Sequence, residues 1–435
     1  MEMTAPSMTE PHADTTIAVV GMGYVGLPLS VALVRAGYRV HGLDTDGQKV
    51  ATLAQGKSYI KHIPADPLRG FIESHRLIPS GDFSRVSEAN AVIICVPTPL
   101  TPHRTPDLSF VEATARSIAP HISRGQLVIL ESTTYPGTTD EVMVPILEQG
   151  SGLQAGTDFL VAYSPEREDP GNLASGLSEI PKLVGGINAE SCARACDIYQ
   201  RIVRQVVPVS NCRVAEAAKL LENIFRSVNI ALVNELKIIY SAMGIDIWEV
   251  IAGASTKPFG FMPFYPGPGL GGHCIPIDPF YLTYKALEYG QRTRLIELSG
   301  EINTAMPEYV VTQVARALND DAKSVRGARI LLLGLAYKPD VDDDRESPTY
   351  EIIKLLEQLG GVVAYNDPHI PEIRPGRSHH WVAGRASQPI EAGYDLFVVC
   401  THHKEYAGVD FAALGIPVVD CRNAVKKRPS RYYQA

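Results

Sequence analysis

The stretch TIAVVGMGYVGLPLSVALVRAGYRVHGLD, residues 16–44, decides the fold of the first part of the chain. It contains an apolar run, a glycine-rich turn, a segment with helical spacing that ends near Gly37, and a strand-like segment that ends at Asp44. Two strands joined by a helix in this order predict a βαβ unit, in which the strands run parallel and the helix covers the sheet.

The glycines of this turn, Gly21, Gly23 and Gly26, fit the pattern G-x-G-x-x-G of dinucleotide-binding turns. Gly21 allows the tight turn, Gly23 lets a pyrophosphate approach, and the N-terminus of the following helix faces its charge. Asp44, 18 residues after Gly26, is placed to bind the adenosine ribose and to repel a 2′-phosphate. The turn therefore predicts NAD as cofactor rather than NADP, with further contacts at Tyr24 and Val25.

Further apolar segments follow at the spacing of an α/β domain: AVIICVPTP (91–99), LVILEST (127–133), FLVAYSPE (159–166) and KLVGGI (182–187). Apolar strands separated by helix-length segments indicate a parallel sheet covered on both faces. Loops at the carboxyl ends of such strands hold ligands. Three residues at these ends are predicted to contact the cofactor: Pro97, Thr98 and Thr133.

The segment 214–244 contains no proline, and no glycine before Gly244, and predicts one helix about 45 Å long. We expect this helix to join two domains and to offer a dimer surface. A strand and helix pattern then returns, with strands predicted in ARILLLGLAY (328–337), VVAYNDP (362–368), DLFVVCT (395–401) and PVVDCRN (417–423), and a helix over 347–361. The first turn of this second α/β domain lacks a full G-x-G-x-x-G, so we expect it to bind a different ligand.

The sequence thus predicts an α/β protein with two Rossmann-like doubly wound domains, joined by a long central helix and a helical middle domain. We expect four segments: a loose tail at 1–14, an NAD-binding domain at 15–210, a central helical domain at 211–305, and a second α/β domain at 306–435.

Composition limits the classes of function. The 435 residues exceed one ordinary core, and 45% apolar with 20% charged residues is typical of a globular protein. The net charge of −8 argues against non-specific nucleic-acid binding, which needs a basic face. No run approaches 18 apolar residues, so no membrane span is predicted. Seven scattered cysteines, with no secretory signal pattern, predict a reducing, cytoplasmic location.

One cysteine stands in GPGLGGHCIPID, residues 267–278, among four glycines and two prolines. Glycines permit close approach of backbone to a ligand and prolines stiffen the loop, so Cys274 is expected at a definite place. Asp278 follows four residues later. The alternative is a surface turn with an incidental cysteine, and the loop alone does not decide between the two.

Six stretches in order resemble the nucleotide-sugar 6-dehydrogenases, the UDP-glucose/UDP-mannuronate dehydrogenase family. They are GMGYVG with Asp44, STT (132–134), SPE (164–166), EAAKLLEN (216–223), GPGLGGHCIPID (267–278) and AYKPDVDDDRESP (336–348). Together they extend the resemblance over residues 16 to about 425. FMPFYPGPGLGGHCIPIDPFYL and YSPEREDPGN are most similar to the branch that acts on UDP-N-acetylglucosamine. Ile277 and Pro170 stand where the UDP-glucose branch carries a lysine and a second glutamate.

The resemblance implies a chemistry for the cysteine loop. Oxidation of a primary alcohol at C6 of the sugar to a carboxylate removes two hydrides, which two NAD molecules accept in succession. Cys274 would attack the intermediate aldehyde to give a thiohemiacetal, and the second oxidation would leave a thioester for water to hydrolyse. The other implied catalytic residues are Lys219 for the oxyanions, Asp278 for water, Asn223 for water or sugar, and Glu166 as acid/base with Thr133 nearby.

The resemblance also implies substrate contacts in the second α/β domain, which becomes the UDP-sugar-binding domain. Arg345 is implied to reach the nicotinamide side of the cofactor. The implied substrate-binding residues are Glu166, Arg167, Lys219, Asn223, Tyr265, Gly271, Tyr337, Lys338 and Arg422. Adjacent histidines at 379–380 and 402–403 diverge in either a helix or a strand, so no metal site is predicted.

The expected function is NAD-dependent oxidation of UDP-N-acetylglucosamine to its uronate, for surface polysaccharide or glycoconjugate synthesis, by a homodimer or higher homo-oligomer. Two alternatives remain open. The first is the same chemistry on UDP-glucose, UDP-N-acetylgalactosamine or UDP-N-acetylmannosamine. The second is a nucleotide sensor without catalysis, which would be expected to lose Cys274, Lys219 or Asp278, and all three are present.

Overall fold

A computed structural model describes residues 15–60, 63–101, 105–167, 177–272, 275, 277–376 and 379–435. The predicted tail at 1–14, the predicted nucleophile Cys274 and Pro170 lie outside the described residues. The chain forms two compact units that divide between Leu221 and Glu222.

The first unit is built on a sheet of eight strands in the order β3-β2-β1-β4-β5-β6-β7-β8. Its first six strands follow the order 3-2-1-4-5-6 of dinucleotide-binding folds, which confirms the predicted fold class. The strands are β1 (Thr16–Val20), β2 (Arg39–Leu43), β3 (Leu77–Ser80), β4 (Ala91–Ile94), β5 (Leu127–Leu130), β6 (Leu160–Tyr163), β7 (Lys182–Gly186) and β8 (Val206–Val209).

Strand β7 departs from the expected parallel arrangement, because it pairs antiparallel with β6. A parallel neighbour needs a crossover connection, usually a helix. The connection at 164–181, SPEREDPGNLASGLSEIP, is rich in glycine and proline and has no helical spacing. Without the spacing of a crossover helix the direction of the chain reverses, and β7 runs antiparallel to β6.

Both faces of this sheet are buried, as expected for parallel strands between helices. On β1, Ile17 and Val19 pack on one face, and Ala18 and Val20 pack on the other. The helices are α1 (Gly26–Arg35), α2 (Gly47–Ala54), α3 (Ala65–Glu73), α4 (Ser109–Ile118), α5 (Val144–Ser151), α6 (Ala189–Tyr199) and α7 (Cys212–Ala242). The 31 residues of α7 confirm the long helix, which spans about 46 Å at 1.5 Å per residue.

The second unit contains a five-stranded parallel sheet in the order β10-β9-β11-β12-β13. Renumbered within the unit this order is 2-1-3-4-5, the second common doubly wound arrangement, which confirms the predicted open α/β domain. The strands are β9 (Arg329–Leu333), β10 (Val362–Asn366), β11 (Leu396–Val399), β12 (Val418–Asp420) and β13 (Tyr432–Gln434). The helices are α8 (Ile247–Ala254), α9 (Asp278–Glu288), α10 (Arg294–Asn319), α11 (Pro348–Gln358) and α12 (Phe411–Leu414).

Two glycines of the first turn differ in the space around them, which separates a structural role from a ligand role. A Cβ on Gly26 would lie 1.9 Å from the carbonyl oxygen of Gly21, whereas a Cβ on Gly23 would meet no atom within 4 Å.

We expect Gly26→Ala to destabilise the protein by about 2 kcal/mol or more, because the turn and α1 must move apart. Gly23→Ala, the matched control, should change the free energy of unfolding by less than about 0.5 kcal/mol. Urea denaturation of both variants provides the measurement. Equal destabilisation by the two substitutions would contradict this account of the turn.

Candidate active site

The glycine turn is shaped to admit a dinucleotide. Gly21 adopts φ of +93°, and its N–H donates to the carbonyl of Leu43 at 2.8 Å, which closes the turn on the end of β2. The open space beside Gly23 lies just before the N-terminus of α1, where backbone N–H groups favour an anion. Tyr24 is half exposed there, and Val25 directly precedes α1. These features fit the pyrophosphate of NAD.

Asp44 is buried at the end of β2 and organises the second half of the predicted NAD site. Its Oδ2 accepts from the backbone N–H of Met22 at 2.8 Å, and its Oδ1 accepts from that of Asp46 at 2.9 Å. The Nζ of Lys49 lies 3.7 Å from Oδ2. The carboxylate thus ties the glycine turn to β2, and a cation stands beside it.

The ends of β4 and β5 place the other predicted cofactor residues of the first unit at the same edge of the sheet. After β4, Pro97 is exposed and Thr98 is buried. After β5, the hydroxyl of Ser132 donates to the carbonyl of Val96 at 2.7 Å and joins the two loops. Thr133, the next residue, is half-buried.

Glu166 follows β6 and is held by groups that the sequence did not reveal. The ammonium of Lys182 lies 3.4 Å from its Oε2, and the backbone N–H of Arg167 donates to its Oε1 at 2.6 Å. Lys182 also contacts Glu131 at 2.9 Å. The guanidinium of Arg167 donates to the carbonyl of Pro181 at 2.8 Å.

Lys219, the predicted oxyanion-stabilising residue, is buried on α7 one turn after a second buried residue, Glu216. Glu216 accepts from the backbone N–H groups of Gly137 and Thr139, at 2.7 and 2.9 Å, and from the hydroxyl of Thr139 at 2.7 Å. Burial raises the pKa of Glu216 to about 7, against these hydrogen bonds, which lower it. Glu216 therefore fixes the loop after Thr133 to the helix that carries Lys219.

In the second unit, the amide of Asn223 donates to the carboxylate of Asp278, the first residue of α9. Asp278 is buried, and Asn223 is half-buried on α7. The structure therefore brings together two residues that were predicted to handle water and sugar, although 55 positions separate them.

The described part of the cysteine loop is packed against the second α/β sheet. Its first residue, Gly267, donates to the side chain of Asn234 at 3.0 Å, and a Cβ there would lie 2.3 Å from the guanidinium of Arg422. A Cβ on Gly271 would lie 2.4 Å from the Cβ of Tyr337. Arg422 and Tyr337, both predicted substrate residues, thus contact the loop that leads to Cys274, and only glycine fits between them and the backbone.

The other predicted ligand-binding residues of the second unit are Arg345, Lys338 and Tyr265. The guanidinium of Arg345 donates two hydrogen bonds to the carboxylate of Asp343, at 2.8 and 2.6 Å, and the carbonyl of Arg345 accepts from the N–H of Gly272 at 3.0 Å. Lys338 is half-buried after β9. Tyr265 is half exposed and stacks on Trp248, with ring centroids 5.7 Å apart. Their ligand roles stay predictions.

Four side chains that are potential metal ligands lie together in this unit: Asp340, His369, His403 and Glu405. His403 is buried, and both of its ring nitrogens are engaged, with the N–H of Asp340 at 2.9 Å and the carboxylate of Asp367 at 3.1 Å. His403 therefore belongs to the packing at the carboxyl edge of the sheet.

The fold and the glycine turn with Asp44 define a dinucleotide-binding protein with an additional open α/β domain. Three family models match successive parts of the chain: the NAD binding domain of the UDP-glucose/GDP-mannose dehydrogenase family at residues 15–203, its central domain at 213–305 and its UDP binding domain at 331–427. The chain belongs to the UDP-glucose/GDP-mannose dehydrogenase family and is an oxidoreductase of nucleotide sugars.

Relatives are similar over nearly their whole lengths. The UDP-N-acetyl-D-glucosamine 6-dehydrogenase of Pseudomonas aeruginosa is 37% identical over 394 residues, 90% of this chain and 92% of the relative. The NDP-N-acetyl-D-galactosaminuronic acid dehydrogenase of Ralstonia solanacearum is 36% identical over 93% of this chain and 94% of the relative. The solved structure of the UDP-D-ManNAc dehydrogenase from Pyrococcus horikoshii has a TM-score of 0.87 and 32% identity, with 96% and 98% of the two chains covered.

Among the described helices, none is both long and apolar enough to cross a membrane. Sequence reasoning missed Glu131, Lys182, Glu216 and Asn234 as residues that position predicted groups. Glu131 directly precedes STT, and Glu216 is the first residue of EAAKLLEN, whereas Lys182 lies in none of the six stretches that resemble the family.

We expect Asp44→Ala to raise the KM for NAD by about tenfold or more, because hydrogen bonds between a carboxylate and the ribose are lost. The same substitution should reduce the preference for NAD over NADP, because Lys49 would remain and would attract the 2′-phosphate of NADP. Steady-state kinetics with both cofactors provides the measurement, and Asp46→Ala is the neighbouring control that should leave the preference unchanged. Equal use of NAD and NADP by the unaltered protein would refute this role of Asp44.

Proposed function

We propose that the protein oxidises C6 of a UDP-linked N-acetylhexosamine to the carboxylate, with UDP-N-acetylglucosamine as the preferred substrate. The observation that carries the proposal is the ordered match of the NAD binding, central and UDP binding domains over one chain. The acetamido group is supported by the names of the relatives, which act on N-acetylated glucosamine, galactosamine-derived or mannosamine sugars.

The epimers of the sugar are the second candidate substrates. Identities of 37%, 36% and 34% to the three kinds of relative differ too little to favour one stereochemistry. The preference for the gluco sugar rests on the resemblance of FMPFYPGPGLGGHCIPIDPFYL and YSPEREDPGN to that branch, with Ile277 and Pro170 at positions that differ from the UDP-glucose branch.

NAD, when bound at the glycine turn, would accept a hydride from C6 in each of two oxidations. In the first, the alcohol loses a hydride and a proton, and Glu166 serves as the acid/base. The Cys274 thiol then adds to the aldehyde, and the thiohemiacetal loses a second hydride and a proton to become a thioester. Water attacks the thioester, which releases the uronate, the thiol and a third proton.

The chain's own side chains would stabilise these steps. Lys219, buried on α7, would offset the negative charge of the tetrahedral oxyanions. The Asn223–Asp278 hydrogen bond supports a role for this pair in orienting the hydrolytic water. Thr133 would act near Glu166, and the UDP-sugar would be bound by Arg167, Tyr265, Gly271, Tyr337, Lys338 and Arg422, with Arg345 toward the nicotinamide.

The proposal includes a homodimer or higher homo-oligomer in a reducing, cytoplasmic compartment. Exposed apolar side chains on α7, Phe225, Leu232, Ile238 and Ile239, support self-association through this helix. The six described cysteines are free thiols, which is compatible with a reducing compartment. We retain the domain division at 15–210, 211–305 and 306–435 as part of the same proposal.

Turnover of UDP-N-acetylglucosamine should exceed that of UDP-glucose by about tenfold or more in kcat/KM, which corresponds to about 1.4 kcal/mol in the transition state. A panel of UDP-sugars, with the galacto and manno epimers, assayed by NADH absorbance measures it. Equal values for the acetamido and glucose substrates would remove the acetamido preference. No turnover of any UDP-sugar would refute the proposed function.

Cys274→Ala should abolish uronate formation while the Kd values for NAD and UDP-sugar stay within about threefold, because the thiol acts only after binding. Cys274→Ser should accumulate an ester, since an alkoxide is a poorer leaving group than a thiolate, and intact-protein mass spectrometry would detect the adduct. Unaltered protein should form two NADH per uronate. A fully active Cys274→Ala protein, or one NADH per product, would show that the loop is only a turn.

A further inference from the structure

A buried bridge of three charged side chains lies beside the proposed acid/base residue. The ammonium of Lys182 is 2.9 Å from Glu131 and 3.4 Å from Glu166. The side chain of Lys182 is 4% exposed, that of Glu131 is 0% exposed, and that of Glu166 is 16% exposed. Glu166 is thus the member of the bridge that reaches toward solvent, and the other two lie behind it.

The reversal of β7 brings Lys182 to this place. The antiparallel register pairs Ala162 with Gly186 and Tyr163 with Gly185. Continued by three residues, this register sets Lys182, the first residue of β7, opposite Glu166. Glu131 arrives from the carboxyl end of the neighbouring parallel strand β5. A parallel β7 would have presented its last residue at this edge, so the antiparallel strand is what supplies the lysine.

The surroundings of the bridge keep the lysine charged. Burial alone lowers the pKa of Lys182, but the carboxylates of Glu131 and Glu166 outweigh it and raise the pKa. The hydroxyl of Tyr199 donates to Glu131, and the Lys182 ammonium lies 5.1 Å from the centre of the Tyr199 ring. Burial raises the pKa of Glu131, with Lys182 opposing that shift.

Other titratable and charged groups face Glu166 as well. Cys95, at the end of β4, is buried, and its thiol is kept protonated because burial and Glu131 raise its pKa well above the usual value. Arg167 follows Glu166 on its own loop, and its guanidinium is bonded to the carbonyl of Pro181. Lys182 makes a direct ion-pair contact with the Glu166 carboxylate from the start of β7.

We propose that Lys182 is a positioning residue for the reaction, which holds the Glu166 carboxylate in place and ionised, and that Glu131 fixes Lys182 from the other side. The inference rests on the proposed function, because it takes Glu166 to be the acid/base. A nearby cation favours the ionised form of a carboxylate and a nearby anion disfavours it. Lys182 and Glu131 therefore affect the titration of Glu166 in opposite directions.

Lys182→Met should move the acid limb of the kcat–pH profile upward by about one pH unit or more, because Glu166 would hold its proton to higher pH. At a pH below the acid limb of the unaltered protein, kcat should fall about tenfold, because a shift of one pH unit lowers the ionised fraction of Glu166 tenfold there, while the calorimetric Kd values for NAD and UDP stay within about threefold. Glu131→Gln should move the acid limb downward, since Lys182 would then interact with Glu166 alone. Lys182→Arg should restore most of the lost kcat.

Thermal denaturation of each variant separates this effect from misfolding, because removal of one partner from a buried ion pair is strongly destabilising. If Lys182→Met does not fold, the double variant Glu131→Gln/Lys182→Met removes both members of the buried pair. Its acid limb should still move upward, because Lys182 is in direct contact with Glu166, but by less than expected for Lys182→Met, because loss of the Glu131 anion acts in the opposite direction. Lys323→Met, which breaks the exposed pair with Asp395 in the other unit, is the control and should leave the profile unchanged.

An unmoved acid limb in a folded Lys182→Met or double variant, or a shift of the same sign for Lys182→Met and Glu131→Gln, would overturn the inference. Glu166→Gln distinguishes its failure from that of the proposed function. Active unaltered protein with an inactive Glu166→Gln and a normal Lys182→Met profile rejects only the role of Lys182. A fully active Glu166→Gln variant would reject the acid/base role of Glu166. No turnover by the unaltered protein would reject the proposed function. Either result would also reject the inference about Lys182.

Discussion

The parallel pairing of β1 with β2 on one side and β4 on the other is the constraint on which the first unit depends. Parallel strands end at a common edge, so the loops after β1, β2, β4 and β5 all begin there. The strand order reverses between β1 and β4, which leaves a crevice at that edge for a ligand. Gly21 and Gly26 allow the turn and α1 to lie close to the sheet, because a Cβ on Gly21 would be 2.5 Å from the carbonyl oxygen of Cys95 and a Cβ on Gly26 would be 1.9 Å from that of Gly21.

Periodicity predicted the strands and helices that carry strong signals, and the structure bears these out. The βαβ unit at 16–44, the helix from Cys212 to Ala242 and the second α/β sheet follow from apolar spacing and from glycine and proline positions. Strands β3, β8 and β13 were not predicted. They are three or four residues long and lie at or near sheet edges, where few apolar side chains are required and local spacing carries little information.

Sequence motifs were sufficient to predict which residues belong to the candidate site. They did not predict contacts between residues that are distant in the sequence. Asn223 and Asp278 were each proposed from motifs, but their hydrogen bond depends on how α9 begins relative to α7. Lys182 could not be found in this way, because its contact with Glu166 depends on the direction of one strand. The spacing of apolar segments predicted a parallel strand there. Instead, β7 follows a glycine- and proline-rich connection and pairs antiparallel with β6.

Helix α7 has a consequence for how this architecture can be divided. The boundary between the two compact units falls between Leu221 and Glu222, inside the helix and one residue before Asn223. A break there would leave about four carbonyls on one piece and four N–H groups on the other without helical partners. Packing therefore defines two units, whereas the backbone hydrogen bonds of α7 continue across the boundary between them. Exchange of modules between relatives would have to join the chains beyond the ends of the helix, before Cys212 or after Ala242.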